Sequence, residues 1–167
     1  MITYSENEKT FRLQGSASSY WFRITAFGHL EHIYFGPRLE PQPIDALLLK
    51  RTATTGSSVV YDKSDPLYVL DNIPLEWSGN GYGDYRYCPA EIRMPDGGFS
   101  HDFTYTAHEI YDGTAAMGSL PGAIDETSTA KTLRIDLSDG TQTKQGDGSS
   151  AWPCQAEEPS PCLVSLY

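Results

Sequence analysis

The stretch YWFRITAFGHLEHIYFG, residues 20–36, alternates apolar and polar side chains on both sides of one glycine. Tyr20, Phe22 and Ile24 recur at every second residue, which is the period of a β-strand with one buried face. Gly28 interrupts this run, and a second apolar run follows it. The stretch therefore predicts two antiparallel strands joined by a hairpin at this glycine.

Short apolar runs with the same period occur along most of the chain, and helical periodicity is almost absent. The turn residues PDGG predict a hairpin between the runs that flank them, within 91–111. Residues 47–51, LLLKR, fit either a short strand or a helical turn. Further strands are predicted at 10–14, 57–61, 67–71 and 131–137. Short strands separated by turns indicate an all-β, antiparallel sandwich or barrel.

The chain changes character after Gly140, where the sequence loses its period and becomes rich in Gly, Ser, Gln and Pro. We expect one β-sandwich domain over 1–140 and an irregular tail over 141–167. Only LVSLY, at 163–167, resembles a strand within the tail. The turn signal Asp139-Gly140 therefore opens a hairpin that has no immediate returning strand.

The composition argues against several functional classes. The chain has 167 residues and a formal charge of −10, which repels polyanions, so no nucleic-acid partner is expected. No run approaches the length of about 20 apolar residues that crosses a bilayer, and the first residues show no secretion signal. The 3 cysteines are too few for a disulfide framework and lack zinc spacing. These features predict a cytoplasmic protein without membrane contact, metal or other cofactor.

The run SGNGYGDYRYCPAEIR, residues 78–93, allows three interpretations. A phosphate site needs glycines between a buried strand and a helix, and Pro89 opposes a helix here. A sugar-stacking surface would use the ring of Trp77 and the tyrosines of the run. The third interpretation makes Asp84 and Arg86 an ion pair that closes a turn, with the glycines permitting a tight backbone.

The four histidines do not predict a metal or acid–base site. In a regular strand over 99–111, His101 and His108 are an odd number of residues apart and face opposite sides. His29 and His32 are also an odd number of residues apart, so the same argument applies to them. Each histidine is expected to be a hydrogen-bonded or solvated side chain. No G-x-S-x-G nucleophile motif occurs, and the spacing of acidic residues nominates no catalytic pair.

Five blocks of sequence resemble, in their order, the N-terminal domain of family 36 glycoside hydrolases, the α-galactosidases. They are FRLQGSASSYWFRI, GHLEHIYFG, IPLEWSGNGYGDYRYCPAEIR, HDFTYTAHEIYDG and SLPGA, and the resemblance covers residues 10–137. Gly83, Asp84 and Arg86 match a glycine–aspartate–arginine motif of the family, and His108 matches the histidine of its D-[FL]-x-Y-x-x-H-x-I-Y motif. The resemblance implies that the first of these motifs belongs to a supporting sandwich and not to a phosphate site.

The resemblance implies an antiparallel supersandwich of the galactose-mutarotase-like type, packed against a TIM barrel that cleaves terminal α-galactosides with retention. Both catalytic aspartates would lie on the barrel, so no residue of this chain is assigned a catalytic role. The family loop that reaches a neighbouring subunit's galactose pocket matches LLLKR here, with Lys50 in place of an acidic residue. Lys50 and Trp77 are the candidate sugar contacts, and the intact enzyme is expected to be a homo-oligomer.

The chain departs from the family pattern in ways that affect these expectations. Gly113-Thr114-Ala115 replaces G-K-P, and SLPG replaces G-L-P-A. Family sandwiches continue with alternating strands beyond the equivalent of Leu137, so the sandwich is expected to be incomplete, with an exposed strand edge. A stand-alone carbohydrate-binding module that uses Trp77, Tyr82 and Tyr85, or an oligomerisation module, stays an alternative.

Overall fold

The computed structural model describes residues 1–40, 42–48, 59–94, 97–115 and 129–139, and the backbone of 162–164. Within these residues the strands are β1 (Ile2–Ser5), β2 (Thr10–Gln14), β3 (Ser18–Ile24), β4 (Leu30–Pro37), β5 (Phe103–Asp112), β6 (Lys131–Asp139) and β7 (Cys162–Val164). Two short 3-10 helices cover Ile44–Ala46 and Leu70–Asn72. The described part of the chain contains no helix with the length and apolar character needed to cross a membrane.

The strands form two antiparallel sheets, in the orders β1-β2-β3-β4 and β5-β6-β7. The hairpin predicted at Gly28 is confirmed, because β3 and β4 pair from Ile24 opposite Leu30 to Ser18 opposite Pro37. Gly28 adopts a φ of +90° in the connecting turn, a backbone conformation that glycine adopts without steric cost. The predicted strands at 10–14 and 131–137 are also found, as β2 and β6.

The two sheets pack face to face, which confirms the predicted β-sandwich. The core between them consists of alternate residues from β2, β3, β4 and β6: Phe11, Leu13, Phe22, Ile24, Leu30, Leu133 and Ile135. The rings of Phe11 and Phe22 stack at a centroid distance of 4.9 Å. Burial of this apolar face is the main favourable contribution to folding, at about 25 cal/mol per Å².

The first sheet is also buried on its other face near its centre. Trp21 points away from the sandwich core, yet its residue is 0% exposed. It packs with Ile33 of β4 and with Ile44, which belongs to the first 3-10 helix. The guanidinium of Arg12 lies 5.1 Å from the centroid of the Trp21 ring, a cation–π distance. The segment that follows β4 therefore forms a third layer over this sheet.

The strands predicted at 57–61 and 67–71 are not formed by the described residues of those segments, so these predictions are wrong. The described residues between 59 and 102 are irregular apart from the 3-10 helix Leu70–Asn72 and isolated β-bridges, such as the one between Leu75 and Glu31 of β4. Their backbone groups pair within turns, as between Tyr61 N and Tyr68 O at 3.2 Å, and with side chains. Because these partners satisfy the backbone, the apolar runs need no sheet ladder.

The hairpin predicted within 91–111 is only partly correct. A turn does form, in which Met94 N donates to Gly98 O at 2.8 Å. The residues before that turn do not form a strand, and β5 pairs instead with β6. Strand β1, for which the sequence pattern gave no prediction, is short and pairs with β2.

The strand expected within 163–167 is found slightly earlier, as β7. Its backbone pairs with the centre of β6, with Cys162 opposite Ile135 and Val164 opposite Leu133. The returning strand therefore comes late in the chain and is short. Lys50, and the tail prediction for the remaining residues after 139, lie outside the described residues.

Candidate functional site

The glycine-rich run folds into a tight turn whose backbone is closed by a hydrogen bond from Asp84 N to Gly81 O at 3.1 Å. Gly81 and Gly83 have φ values of +100° and +83°, and Tyr82 between them has a φ of +52°. No helix follows this turn among the described residues, so its N–H groups lack the helix N-terminus that phosphate sites use. The turn is a structural corner and not an anion cradle.

An ion pair holds this turn against the rest of the domain. Arg86 Nε donates to Asp84 Oδ1 at 2.8 Å, and the Asp84 side chain is 0% exposed. Arg86 Nη2 donates to Leu70 O at 2.7 Å, and Nη1 donates to Ile73 O. The guanidinium thus binds the turn to both ends of the second 3-10 helix. Its fork of donors is directed at the protein itself and not at a ligand.

A second polar network lies close to this turn and connects three parts of the chain. His29 Nε2 lies 2.9 Å from Asp102 Oδ1, and Tyr61 donates its hydroxyl to Asp102 Oδ2 at 2.7 Å. On the other side of the imidazole, Nδ1 lies 3.0 Å from the hydroxyl of Tyr68, which lies 2.6 Å from Thr25 Oγ1. The network joins the β3–β4 turn, the irregular segment and the start of β5.

Burial and hydrogen bonding have opposite effects on the pKa of Asp102. Burial alone would raise the pKa of this carboxyl, but the hydrogen bonds from His29 and Tyr61 and the charges of the nearby histidines outweigh it, so the pKa is lowered. Burial raises the pKa of Tyr61, and it raises that of Tyr68 to about 12. Both tyrosines therefore remain neutral donors, and the carboxylate remains charged.

This network contains an aspartate and a histidine but cannot act as a nucleophile-activating pair. Both oxygens of Asp102 and both nitrogens of His29 already have partners inside the network. Nucleophilic catalysis needs a serine, threonine or cysteine at the imidazole nitrogen that does not contact the carboxylate. In His29 that nitrogen is Nδ1, and it faces the hydroxyl of Tyr68. In the described residues, no group of three or more His, Cys, Asp and Glu side chains is placed to hold a metal ion.

Trp77 lines a small cavity beside the network, together with His101, Asp102 and Phe103. The cavity has room for about one water molecule, which is far too little for a sugar ring. Trp77 is partly buried and meets the ring of Phe103 edge-to-face at 6.5 Å. Its indole Nε1 is buried without a hydrogen-bond partner in the described part of the chain. This geometry does not support a sugar-stacking role for Trp77.

His108, the other motif residue, lies on the core face of β5. Its Nδ1 is 2.7 Å from the hydroxyl of Tyr105, and its ring meets Phe11 edge-to-face at 4.9 Å. Tyr105 and His108 share a face although they are three residues apart, because the ladder shifts between Tyr105 and Ala107. The assumption of a regular strand was therefore wrong: a β-bulge at Thr106 reverses the alternation. Burial lowers the pKa of His108, although the charge of Glu6 opposes this effect.

All four histidines have hydrogen-bond partners, as predicted. His32 Nδ1 lies 2.7 Å from Glu76 Oε1, and His101 Nδ1 lies 3.1 Å from Phe99 O. His101 Nε2 is 3.5 Å from the thiol of Cys88, a buried free cysteine. The network of His29 and Asp102 was missed by sequence reasoning, since its two members are 73 residues apart.

Replacement of Asp102 by asparagine is expected to reveal the contribution of its charge to stability. The folded state lowers the pKa of this carboxyl, so the carboxylate stabilises the fold at pH values above its unfolded-state pKa of about 3.9. That contribution is lost as the pH falls through the folded-state pKa. We expect Asp102→Asn to cost about 2 kcal/mol at neutral pH and less near pH 3. Urea unfolding at several pH values measures this difference.

Asp112→Asn is the matched control, because the side chain of Asp112 is 86% exposed and pairs with Lys131 at the surface. Its cost should stay below about 1 kcal/mol at every pH. A cost of Asp102→Asn that does not change with pH would contradict the prediction.

The geometry defines a class of protein: an antiparallel β-sandwich domain whose described polar clusters join separate parts of the fold. Residues 28–145 match the glycosyl hydrolase family 36 N-terminal domain, and the chain belongs to this family. The predicted family membership is thereby confirmed.

Two curated relatives illustrate how much of a longer protein the match covers. The bifunctional alpha-galactosidase/sucrose kinase AgaSK of Mediterraneibacter gnavus is 29% identical over 138 residues, which is 83% of this chain and 15% of that protein. Alpha-galactosidase 1 of Pediococcus pentosaceus is 30% identical over 140 residues, which is 83% of this chain and 19% of that protein. The chain therefore spans about a fifth or less of these relatives.

Solved structures show the same relation. The galactosidase domain of AgaSK aligns with a TM-score of 0.75 at 28% identity, over 84% of this chain and 20% of that chain. The family 36 α-galactosidase AgaB from Geobacillus stearothermophilus aligns with a TM-score of 0.74 at 28% identity, over 84% and 19%. A variant of AgaA from the same organism, at 26% identity over 80% and 18% with a TM-score of 0.71, is in complex with stachyose.

Proposed function

We propose that this chain is the non-catalytic N-terminal β-sandwich of an α-galactosidase, and that it supports the part of the enzyme that cleaves terminal α-galactosides. The observation that carries this proposal is the match of residues 28–145 to the family 36 N-terminal domain, in a chain that spans 15% to 20% of α-galactosidases. In the proposed enzyme the chemistry belongs to a catalytic barrel, and this domain contributes stability and contacts.

The described carboxylates support a non-catalytic role. Retaining glycoside hydrolysis needs two carboxylates about 5–5.5 Å apart that face an open cleft. The buried carboxylates here are tied to the scaffold instead: Asp84 pairs with Arg86, Glu31 with Arg23, and Asp102 with His29. Each of them is held by a partner within the domain.

The first experiment is an activity assay of residues 1–167 with an aryl α-galactoside. We expect no turnover above a mock preparation purified in the same way. We expect activity to appear when the chain is co-expressed with the remainder of Pediococcus pentosaceus α-galactosidase 1, the part that follows its matched segment. Turnover by the chain alone would overturn the proposal.

Two finer points belong to the same proposal. The intact enzyme is a homo-oligomer, and this domain contributes to the contacts between its subunits. Light scattering of such an enzyme over a range of concentrations tests this point. Its location is the cytoplasm, and the buried free thiol of Cys88 and the odd number of cysteines support a reducing compartment.

A further inference from the structure

The indole of Trp77 carries a buried polar atom that needs a hydrogen-bond acceptor. Its Nε1–H is buried, and in the described part of the chain no group accepts a hydrogen bond from it. An indole nitrogen is a donor only, so an acceptor alone can satisfy it. Buried donors in folded proteins nearly always have a partner, which is either a protein group or an ordered water molecule.

The small cavity that Trp77 lines has the size and the lining of a water site. Leu75 and Phe103 contribute apolar walls, whereas His101 and Asp102 contribute polar ones. The space takes about one water molecule. Cavities that stay dry are apolar throughout, and a cavity with a charged group in its wall favours water. Size and lining therefore fit one water molecule and no larger ligand.

The carboxylate of Asp102 can accept a further hydrogen bond in this cavity. Its Oδ1 lies 2.9 Å from His29 Nε2, and its Oδ2 accepts a hydrogen bond from Tyr61 at 2.7 Å. An ionised carboxylate has about four acceptor positions, so both oxygens keep spare capacity. The imidazoles in the wall are already used, since both ring nitrogens of His29 and of His101 have partners. Asp102 is therefore the charged acceptor that a ligand in the cavity would meet.

The two groups together select the chemistry of the ligand. The indole of Trp77 requires an acceptor, and the charged oxygens of Asp102 attract a donor. A halide ion accepts hydrogen bonds but would lie beside a carboxylate of the same charge, which repels it. An ammonium ion donates hydrogen bonds but cannot accept one from the indole. Water both accepts and donates, and it has the right size.

We propose that this cavity binds one ordered water molecule, which accepts a hydrogen bond from Trp77 Nε1 and donates one to the Asp102 carboxylate. The segment of Trp77 runs along the edge of the first sheet, where Glu76 N donates to Leu30 O at 2.9 Å. Asp102 directly precedes β5 of the second sheet. The water molecule thus links the edge of one sheet to the start of the other, and this role is independent of the function proposed above.

Nuclear magnetic resonance spectroscopy of residues 1–167 tests the proposal on the unaltered chain. In a rotating-frame experiment, a bound water molecule gives a dipolar cross-peak to a nearby indole proton. Proton exchange with bulk water gives a peak of the opposite sign. We expect the dipolar cross-peak at the indole proton of Trp77. Trp77→Phe identifies that signal, because the indole resonance and its water cross-peak are lost together.

Trp21 is the matched control within the same chain. Its Nε1 is also buried without a partner in the described part of the chain. Its ring, however, packs with Ile33 and Ile44 and lies 5.1 Å from the guanidinium of Arg12. We therefore expect no dipolar water cross-peak at the indole proton of Trp21.

A crystal structure at high resolution gives a second measurement that needs no variant. We expect a water oxygen within about 3.2 Å of both Trp77 Nε1 and an oxygen of Asp102. An exchange peak alone at Trp77 would show that its indole is open to bulk solvent, and a protein acceptor at Nε1 would show that the indole is satisfied directly. Either result would overturn the proposal, and so would a dry cavity.

Discussion

Arg86→Ala is expected to lower the free energy of unfolding by about 3 kcal/mol. The substitution removes the partner of Asp84, whose side chain is 0% exposed, and the donors to Leu70 O and Ile73 O. Removal of one member of a buried ion pair costs about 3–5 kcal/mol, because the other charge stays buried without compensation. Arg86 itself is 33% exposed, so water reaches part of the site and the lower end of the range applies. Urea unfolding measures the change.

Two further variants separate this effect from a general loss of charge. Arg86→Lys keeps the charge but lacks the planar fork, so most of the loss should remain. Lys131→Ala removes a cation that pairs with Asp112 at the surface and should cost less than about 1 kcal/mol. An equal effect of Arg86→Ala and Lys131→Ala would show that the ion pair does not hold the turn.

Phe11→Ala is expected to cost about 4 kcal/mol, within the range of about 3–5 kcal/mol for such truncations. Phe11 is 0% exposed and meets rings from three other strands: Tyr4 at 4.6 Å, Phe22 at 4.9 Å and His108 at 4.9 Å. Its removal leaves a cavity where the two sheets meet. Small domains have a total stability of about 5–15 kcal/mol, so this variant should approach unfolding. Urea titration followed by near-ultraviolet circular dichroism records the loss.

Phe11→Leu refills most of the cavity and should cost about 1 kcal/mol. Phe35→Ala removes an equally large ring that is 68% exposed, and its cost should stay within about 0.5 kcal/mol. If the exposed and the buried phenylalanine gave similar losses, the assignment of the core to the space between the sheets would be wrong.

Arg86 and Phe11 both contribute to contacts within the domain. Asp84, Arg86 and Phe11 have their contacts inside the domain, so substitutions at these positions are expected to change its stability. Loss of either feature in an intact enzyme is therefore expected to reduce the amount of folded protein.

Much of the sheet structure followed from local patterns. Alternation of period two predicted β2, β3, β4 and β6, because the side chains of a strand alternate between a buried face and the other face. The β3–β4 hairpin followed from one glycine at its turn. Strand β1 carried too short a signal to be predicted, and the apolar runs at 59–61 and 67–71 resembled strands although their backbone pairs within turns.

The candidate site was predicted less completely, for a geometric reason. The local pair of Asp84 and Arg86 was visible as one of three interpretations, since its members are two residues apart. The partners of His29 were not visible, because Tyr68 and Asp102 are 39 and 73 residues away. The shared face of Tyr105 and His108 depended on a bulge, which shifts the alternation without a marker in the residue types.

By itself, the amino-acid sequence determined the all-β class, the central hairpin and the family, because these depend on period, turn residues and ordered blocks within short stretches. Only the tertiary structure decided what covers each face and which polar groups meet. Trp21 is buried by a segment beyond β4, and Arg86 binds carbonyls of Leu70 and Ile73. Alternation assigns a side chain to a face, but the partner on that face is set by how distant segments pack.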